Sequence, residues 1–597
     1  MAANDYTRAD KDGVSTLSFT SVRTGLLRAV RASAAELAAS LFLLLMAVTL
    51  VAVTARKSIT NDEIVMIPAA YNHVIKGNTD SVREHPPLSK FLAALPLLFI
   101  QPNEVPSQAT DATVSDEDKW VDQARFWGEN PAIFESLSFW PRLPLIALTL
   151  TLGVIIFVFA RDLFGARAAV LAVALFSLEP TILAHGRVVQ TDIPAAFGFL
   201  LVFFMLYRYV GDPTFKRAAW LGAAAGLALL SKFSMLLVCP ILSLFFLALL
   251  WQAPQKGQSR ATLLAHAATV ALIATLLINA AYYFHRNGLT EADAFWVKQS
   301  FSDNYATVMR VIGGLAYVLP VDFVLGVFWQ IWHDKAGHAA SLLGMYSRSG
   351  WWYYFPVAFA LKTSLPFLLL SLASLAWAAR EWIKKHDARF LWLLAPFATY
   401  TIFVLFSRID IGVRYYLPAF PFLFILGGAL LDRLLNSRRA RRAPMFAAVA
   451  LLCWIGVEAV RAYPNHMTYM NQLAATRPHW WYLSDSNVEW GDDARELAIY
   501  LRARGETRVR AVFLGHFITL HYYGVELVDM MSPAADQEPT RYVAIGASFL
   551  NGSTVPDELM HIRWSNDAER VNFFDAYRRR APEAIIGNSI YLYRMRD

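Results

Sequence analysis

Residues 58–90, SITNDEIVMIPAAYNHVIKGNTDSVREHPPLSK, decide how the rest of the chain is read. An apolar run at about 35–55 precedes them, and a second apolar segment begins at their end. The stretch opens with an acidic pair, Asp62 and Glu63. It closes with Glu84, His85, a Pro-Pro pair and Lys90. Polar groups of both signs held where a chain leaves a bilayer can serve a reaction at a membrane surface. They are also where membrane proteins place ordinary interfacial charge. The remainder of the chain has to separate the two.

Composition sets the frame. Of 597 residues, 56% are hydrophobic and 17% charged, with mean hydropathy +0.37, whereas soluble domains carry about 25% charged residues. The apolar residues recur in blocks of about the length that crosses a bilayer as a helix. The chain therefore reads as a polytopic membrane protein, mostly α. An aromatic fraction of 14% suits interfacial belts. Cys239 and Cys453 both lie in apolar segments, without disulfide or metal-site spacing. The net charge of +7 comes largely from short loops between apolar runs, a topological pattern that does not call for nucleic acid.

About eleven spans are expected: 35–55, 139–160, 168–186, 193–210, 218–231, 234–251, 262–284, 352–379, 390–407, 415–432 and 445–462. The first resembles a signal peptide only loosely. It is longer than a signal core and follows a long tail, so it reads as an uncleaved span. Residues 1–34, with Arg8 and Lys11, read as a cytoplasmic tail, residues 35–462 as the membrane domain. A piece near 311–332, with Gly313-Gly314, Pro320 and Asp322, reads as re-entrant or interfacial.

With the N-terminus inside, the loops 161–167, 208–217, 252–261, 380–389 and 432–443 hold sixteen Lys/Arg against five Asp/Glu. The outer loop 101–138 is instead acidic, with Asp111 and Glu135 among eight carboxylates. The positive-inside rule is obeyed nearly loop by loop. Its consequence is that the 58–90 stretch, Asp192, the long loop 285–351, the loop 408–414 and the C-terminal region share the outer face. The expected location is a membrane crossed many times, with the N-terminus cytoplasmic. Residues 463–597 mix periodicities. Strand-like runs (509–514, 525–530, 542–545, 590–593) alternate with helical ones (493–504, 566–579). They predict a small extracytoplasmic α/β domain, either an acceptor-binding module or a structural cap.

Four stretches can carry chemistry. Asp62 and Glu63 are either a base at the bilayer boundary, its proton affinity raised by desolvation, or first-turn acids of a capped helix over Ile64–Val74. In REHPPLSK, the prolines set an extended approach to a new helix. Glu84, His85 and Lys90 could line a phosphate site there, or Lys90 could snorkel. In HGRVVQTD (185–192), His185, Arg187 and Asp192 lie between two closely spaced spans, where charged groups usually face a cavity or partner. Arg142, in SFWPRLP, is a headgroup anchor or a phosphate ligand. In RIDIGVRYYLPAFPF (408–422), Arg408 and Arg414 stand on the face where positive charge is not expected, pointing to an anionic ligand.

Asp62-Glu63, Tyr71, His85-Pro86-Pro87-Leu88 and Lys90 resemble the first outer loop of protein O-mannosyltransferases and are similar to the lipid A aminoarabinose transferases. Both belong to the GT-C class of polytopic glycosyltransferases that use polyprenyl-phosphate sugars. Arg142, Asp192 and RYYLPAFPF match bacterial members of that group. DSNVEWGDDARELAIYL (485–501) resembles a soluble-domain motif of bacterial relatives, with Glu489-Trp490-Gly491-Asp492-Asp493 where Asp-Trp-Gly-Gln-Asp is usual. Arg83-Glu84 stands where the mannosyltransferases have Asp-Val, and no room exists for their β-trefoil domain.

The resemblance implies juxtamembrane helices in the first outer loop. It also implies inverting transfer of a sugar from a polyprenyl-phosphate donor to an acceptor protein, lipid or envelope glycan. On it, Asp62 is the base, Glu63 positions the base or the acceptor, and Asp192 orients sugar or acceptor. Glu84, His85, Lys90, Arg142, Arg187 and Arg414 are then the candidates around the donor phosphate. No cofactor is called for, and metal assistance by a divalent ion stays open. Asp485-Ser486-Asn487 and Asp492-Asp493 read as distant from this site. The alternatives are a transporter or flippase, against which the chain shows no internal repeat, and a sensor or scaffold.

Overall fold

The computed structural model describes residues 19–104, 116–255, 257–436, 442–532, 539–557 and 563–595, with side chains from Ala34 and from Asp122 in the first two segments. Arg8, Lys11, Asp111 and the middle of the 432–443 loop lie outside the described residues. A mostly helical membrane domain is followed by a small C-terminal region with strands. Among the described residues, seven helices are long and apolar enough to cross a membrane: Ala34–Thr54, Pro131–Phe164, Asp192–Gly211, Phe233–Gln252, Arg260–Ala281, Val413–Leu435 and Arg442–Ala462. The first continues a helix that starts at Phe19.

The other four expected runs are helical but short or broken. The 168–186 run splits at Glu179-Pro180 into Ala166–Leu178 and Pro180–His185. The 352–379 run splits at Thr363-Ser364. The other two form Phe215–Ser231 and Ala388–Val404. The two breaks are stitched to each other. The Glu179 carboxylate accepts from the Ser364 N–H (3.0 Å) and hydroxyl (2.6 Å), and the Thr181 hydroxyl donates to the Lys362 carbonyl (2.7 Å). Backbone groups freed where a helix breaks at membrane depth must find partners in protein, and here they do.

The Phe420–Leu435 helix is central, buried on every side from Phe420 to Leu431. A helix apolar all round belongs inside a bundle. Gly428 lets it approach the backbone at Ala168 and Ala172 of its neighbour closely enough that a Cβ would collide. The helices end together. Arg142, Asp192 and Arg414 start spans at one end, and the same helices finish at the other with Arg161, Arg208 and Arg433.

Three helices, Asn61–Ile75, Leu88–Ile100 and Asp116–Gly128, lie in the loop after the first span. The 285–351 segment holds helices Glu291–Ser300, Tyr305–Ala316 and Val321–Ala336, then an antiparallel hairpin of β1 (Ala340–Leu342) and β2 (Met345–Ser347). Gly313 and Gly314 sit within the second of these helices, and Pro320 caps the third.

The C-terminal region forms a five-stranded sheet from β3 (Arg508–Val512), β4 (Glu526–Asp529), β5 (Tyr542–Gly546), β6 (Ala584–Ile586) and β7 (Ile590–Arg594), in the order β4-β3-β5-β7-β6. β3 runs parallel to β4 and β5, and β7 antiparallel to β5 and β6. The Ala494–Arg502 helix buries Ala494, Leu497, Ala498 and Leu501, a spacing that gives one apolar stripe. The helix expected over 566–579 is two short pieces, Asp567–Val571 and Asp575–Arg578. The buried Phe574 draws the chain between them into the core.

Candidate active site

Helix capping separates the two adjacent acids. Thr60 precedes the Asn61–Ile75 helix. Its N–H donates to Glu63 Oε2 at 2.8 Å while the Glu63 N–H reaches the Thr60 hydroxyl at 3.4 Å, a capping box. Glu63 is thereby turned inward and fully buried. Its neighbour Asp62 is partly exposed, its side chain at 23%.

Glu63 meets Arg142, also fully buried. The guanidinium donates from Nε to Oε1 (2.7 Å) and from Nη2 to Oε2 (2.5 Å), and Nη2 also reaches the Ser58 carbonyl at 2.7 Å. The Val189 N–H adds a bond to Oε1 at 2.9 Å. Burial opposes ionisation of Glu63, but the Arg142 guanidinium outweighs it and holds the carboxyl below its ordinary value. The pair locks the first loop to the turn at 185–192.

Three of the cations expected around a donor phosphate are engaged by protein groups. Arg142 is enclosed by Glu63 and backbone carbonyls. Arg187, also buried, donates from Nη2 to Asp492 Oδ2 at 2.5 Å. Lys90 Nζ donates to the carbonyls of Ser81 (2.6 Å) and Val82 (2.9 Å), shaping the turn before Pro86-Pro87. Arg142 and Lys90 hold backbone carbonyls around the site, and Arg187 ties the 185–192 turn to Asp492, its Nε and Nη1 having no hydrogen-bond partner among the described residues. Glu63 likewise acts through Arg142 and contacts no open space.

Asp62 belongs to a second, open cluster organised by Arg414. Arg414 Nη1 donates to Asp62 Oδ2 at 2.6 Å and lies 3.8 Å from Asp192, while Nη2 lies 3.8 Å from Asp485. Asp192 in turn accepts from Lys232 Nζ at 2.6 Å. The Lys232 ammonium stands 3.6 Å from the centre of the Tyr415 ring, and the Arg414 guanidinium 4.3 Å from that of Trp490, both cation–π geometries. The Gln190 amide donates to Asp62 Oδ2, and the Trp490 indole N–H donates to Oδ1 at 3.2 Å. Burial raises the proton affinity of Asp62, but Arg414, Gln190 and the nearby His85 lower it further, so the carboxyl stays below its ordinary value. Burial brings His85 down to about 4, leaving a neutral ring at pH 7, with Glu84 beside it. Among the described residues no three His, Cys, Asp or Glu side chains form a metal-binding group. The three aspartates converge on a guanidinium.

Of the expected site residues, Asp62, His85, Asp192 and Arg414 lie together in space. The sequence reading missed Lys232, Gln190 and Trp490, and it misplaced Asp485, which is part of the cluster. Asp492 and Asp493 join the supporting layer. Lys57 Nζ pairs with Asp493 and, at 3.0 Å, with Glu496.

The polar cluster thus sits at one end of a bundle of membrane helices. Residues 131–279, which carry Arg142, Asp192 and Lys232, match the family model of dolichyl-phosphate-mannose-protein mannosyltransferase. Among solved structures the chain is similar to ArnT from Cupriavidus metallidurans in the apo state, with 15% identity, 85% of this chain and 92% of that one covered, and a TM-score of 0.46. It is similar to the apo oligosaccharyltransferase of Archaeoglobus fulgidus, with 14% identity, 86% and 70% coverage and a TM-score of 0.43. It is also similar to the S. cerevisiae protein O-mannosyltransferase Pmt1-Pmt2 complex bound to the sugar donor, with 17% identity, 41% and 33% coverage and a TM-score of 0.29. No curated protein matches the chain by sequence.

Proposed function

We propose that the protein is a membrane glycosyltransferase that moves a sugar, with inversion, from a polyprenyl-phosphate donor to an acceptor hydroxyl at the extracytoplasmic surface, with Asp62 as the base. The observation that carries the reading is the contrast among the acids. Glu63 and Asp192 are enclosed, whereas the Asp62 carboxylate has an open side next to two cations. The Arg-rich helix ends at the opposite end of the bundle support an extracytoplasmic site.

In the reaction the acceptor oxygen forms a bond to the anomeric carbon from the face opposite the phosphate, and the bond from that carbon to the phosphate oxygen breaks. The electron pair stays on the phosphate. The acceptor proton passes to an Asp62 oxygen. Arg414 and Lys232 are placed to balance the charge that develops on the leaving phosphate. Arg414 is shared between Asp62 and that task. As a phosphate draws the guanidinium away, the ion pair that depresses the Asp62 proton affinity weakens, and the base strengthens when it is needed. Asp192 holds Lys232 and Arg414 in place, and His85 offers a neutral ring edge. The acceptor is a protein Ser or Thr, a lipid or an envelope glycan.

The test is transfer by purified protein in lipid supplied with polyprenyl-phosphate sugars. Asp62→Asn should lose about 100-fold or more, the usual scale of general-base catalysis. A folded Asp62→Asn protein with full transfer would make the base assignment wrong. Comparing envelope glycans and glycoproteins of a deletion strain by mass spectrometry would name sugar and acceptor.

A further inference from the structure

Besides Asp485, the C-terminal region brings a second short segment to the reaction centre. Residues 489–493, Glu-Trp-Gly-Asp-Asp, lie along residues 57–62. The Asn61 N–H donates to the Trp490 carbonyl (2.8 Å) and the Ser58 N–H to the Asp492 carbonyl (2.8 Å). Lys57 grips Asp493, and Arg187 grips Asp492. Gly491, at φ +90°, takes a backbone shape that L side chains rarely adopt, and a Cβ there would collide with the Leu514 carbonyl. On the other side the buried Glu489 carboxylate accepts from the backbone N–H groups of Leu514 (2.6 Å) and Ser548 (2.7 Å), tying the segment to the sheet domain.

This clamp presents one side chain to the site. Trp490 is 1% exposed, an unusual degree of burial for so large a ring. Its edge donates to Asp62 Oδ1, its face carries Arg414, and His185 packs against it edge-on. A tryptophan that only filled space would have no need of both contacts.

We propose that Trp490 is a positioning residue supplied by the C-terminal domain: its indole N–H orients Asp62 and its ring seats Arg414, so the reaction centre is incomplete without that domain. The idea rests on the reading of Asp62 as the base. Between sequence expectations of an acceptor module and a structural cap, it makes the domain a working part of the site. The N–H also favours the ionised form of Asp62. The other groups facing Asp62 are Arg414, His85 and Gln190, with Lys232, Asp192 and Asp485 just beyond.

The experiment reads protonation of Asp62 without requiring turnover. A water-soluble carbodiimide activates protonated carboxyls, and capture by glycine ethyl ester followed by mass spectrometry gives the fraction labelled at Asp62 against pH. The full-length protein is compared with Trp490→Phe, which keeps a ring and removes the N–H. A second protein carries 3-benzothienylalanine at position 490, which keeps the shape of the indole and replaces N–H by sulfur. The labelling midpoint should move up by about half to one pH unit in both, a threefold to tenfold rise in labelling at fixed pH. The thermal midpoint of the benzothienyl protein should stay at the wild-type value. An unmoved labelling midpoint in the benzothienyl protein overturns the proposal, whether or not Trp490→Phe folds. Where a polyprenyl-phosphate sugar is turned over, the acid limb of kcat should shift with the labelling midpoint while KM for the donor stays constant. A fixed limb beside a shifted midpoint would overturn it as well. A shifted midpoint in the two variants, with a wild-type protein that consumes no such sugar, supports the positioning role and removes the transferase reading instead.

Discussion

Asp62 and Glu63 are neighbours in sequence with opposite duties, and Glu63→Gln set against Asp62→Asn separates them. Both Glu63 oxygens accept more than one hydrogen bond: Oε1 from Arg142 and Val189, Oε2 from Arg142 and from the N–H and hydroxyl of Thr60. An amide nitrogen in either position points donor at donor. It also leaves Arg142 buried without its counter-charge. Breaking a buried pair by removing one partner costs about 3–5 kcal/mol. Asp62 is different. Its side chain is partly exposed, Arg414 retains Asp192 and Asp485, and a carboxamide still accepts from Trp490. Losing this pair therefore strands no unpaired charge and costs less than losing Glu63. Thermal unfolding of the detergent-purified proteins, followed by loss of the monodisperse chromatographic peak, should show Glu63→Gln melting several degrees early. Asp62→Asn should melt close to wild type while losing transfer. The double variant Glu63→Gln/Arg142→Met should recover part of the loss, because it removes the stranded charge. A Glu63→Gln protein as stable as wild type, or an Asp62→Asn protein equally destabilised, would refute this division of labour.

Three further outcomes are expected. Lys57→Met removes the cation between Asp493 and Glu496, so limited proteolysis between about residues 463 and 480 should release the C-terminal domain faster than in wild type. The pH dependence follows from Asp62 lying below the ordinary aspartate value of about 3.9: its charge and ion pair persist above that value and fade only as pH falls through the lower folded one. Transfer should therefore be flat through neutral pH and decline only in strong acid, and a decline centred near pH 6 would contradict the assignment. Arg414→Lys offers one ammonium where a planar fork now faces three aspartates; KM for the donor should rise about 10–100-fold, the scale of a lost charge-assisted hydrogen bond.

The membrane frame was legible because hydropathy and charge asymmetry are local properties of sequence, and each expected run is helical in the structure. Where length alone suggested unbroken spans, Glu179-Pro180 and Thr363-Ser364 interrupt them, and the interruption is tolerated only because Glu179 and Ser364 meet. Nothing in either run announces that partnership. The short strand β6 and the His516–Tyr522 helix were invisible for a related reason. Each is a few residues long and held by the sheet beside it, so it carries no periodicity of its own.

The site was half legible, and the missing half obeys a rule already in use. Arg414 attracted attention as a positive charge on the face where topology expects none. Lys232 satisfies the same test, lying between the fifth and sixth expected spans and hence on the outer side. It escaped because the turn at 231–233 is so short that a lone lysine there reads as the end of a helix. Asp485 and Trp490 had no such signal, being separated from Asp62 by more than four hundred residues and placed by the 489–493 clamp. Conversely, Arg142, Arg187 and Lys90 looked like ligands because a buried cation in sequence has no visible partner. In the structure Arg142 and Arg187 each meet a buried carboxylate and Lys90 meets two backbone carbonyls. Arg414, which faces Asp62, Asp192 and Asp485, and Lys232, over the Tyr415 ring, are the cations beside the partly exposed Asp62, and a donor phosphate should be sought there.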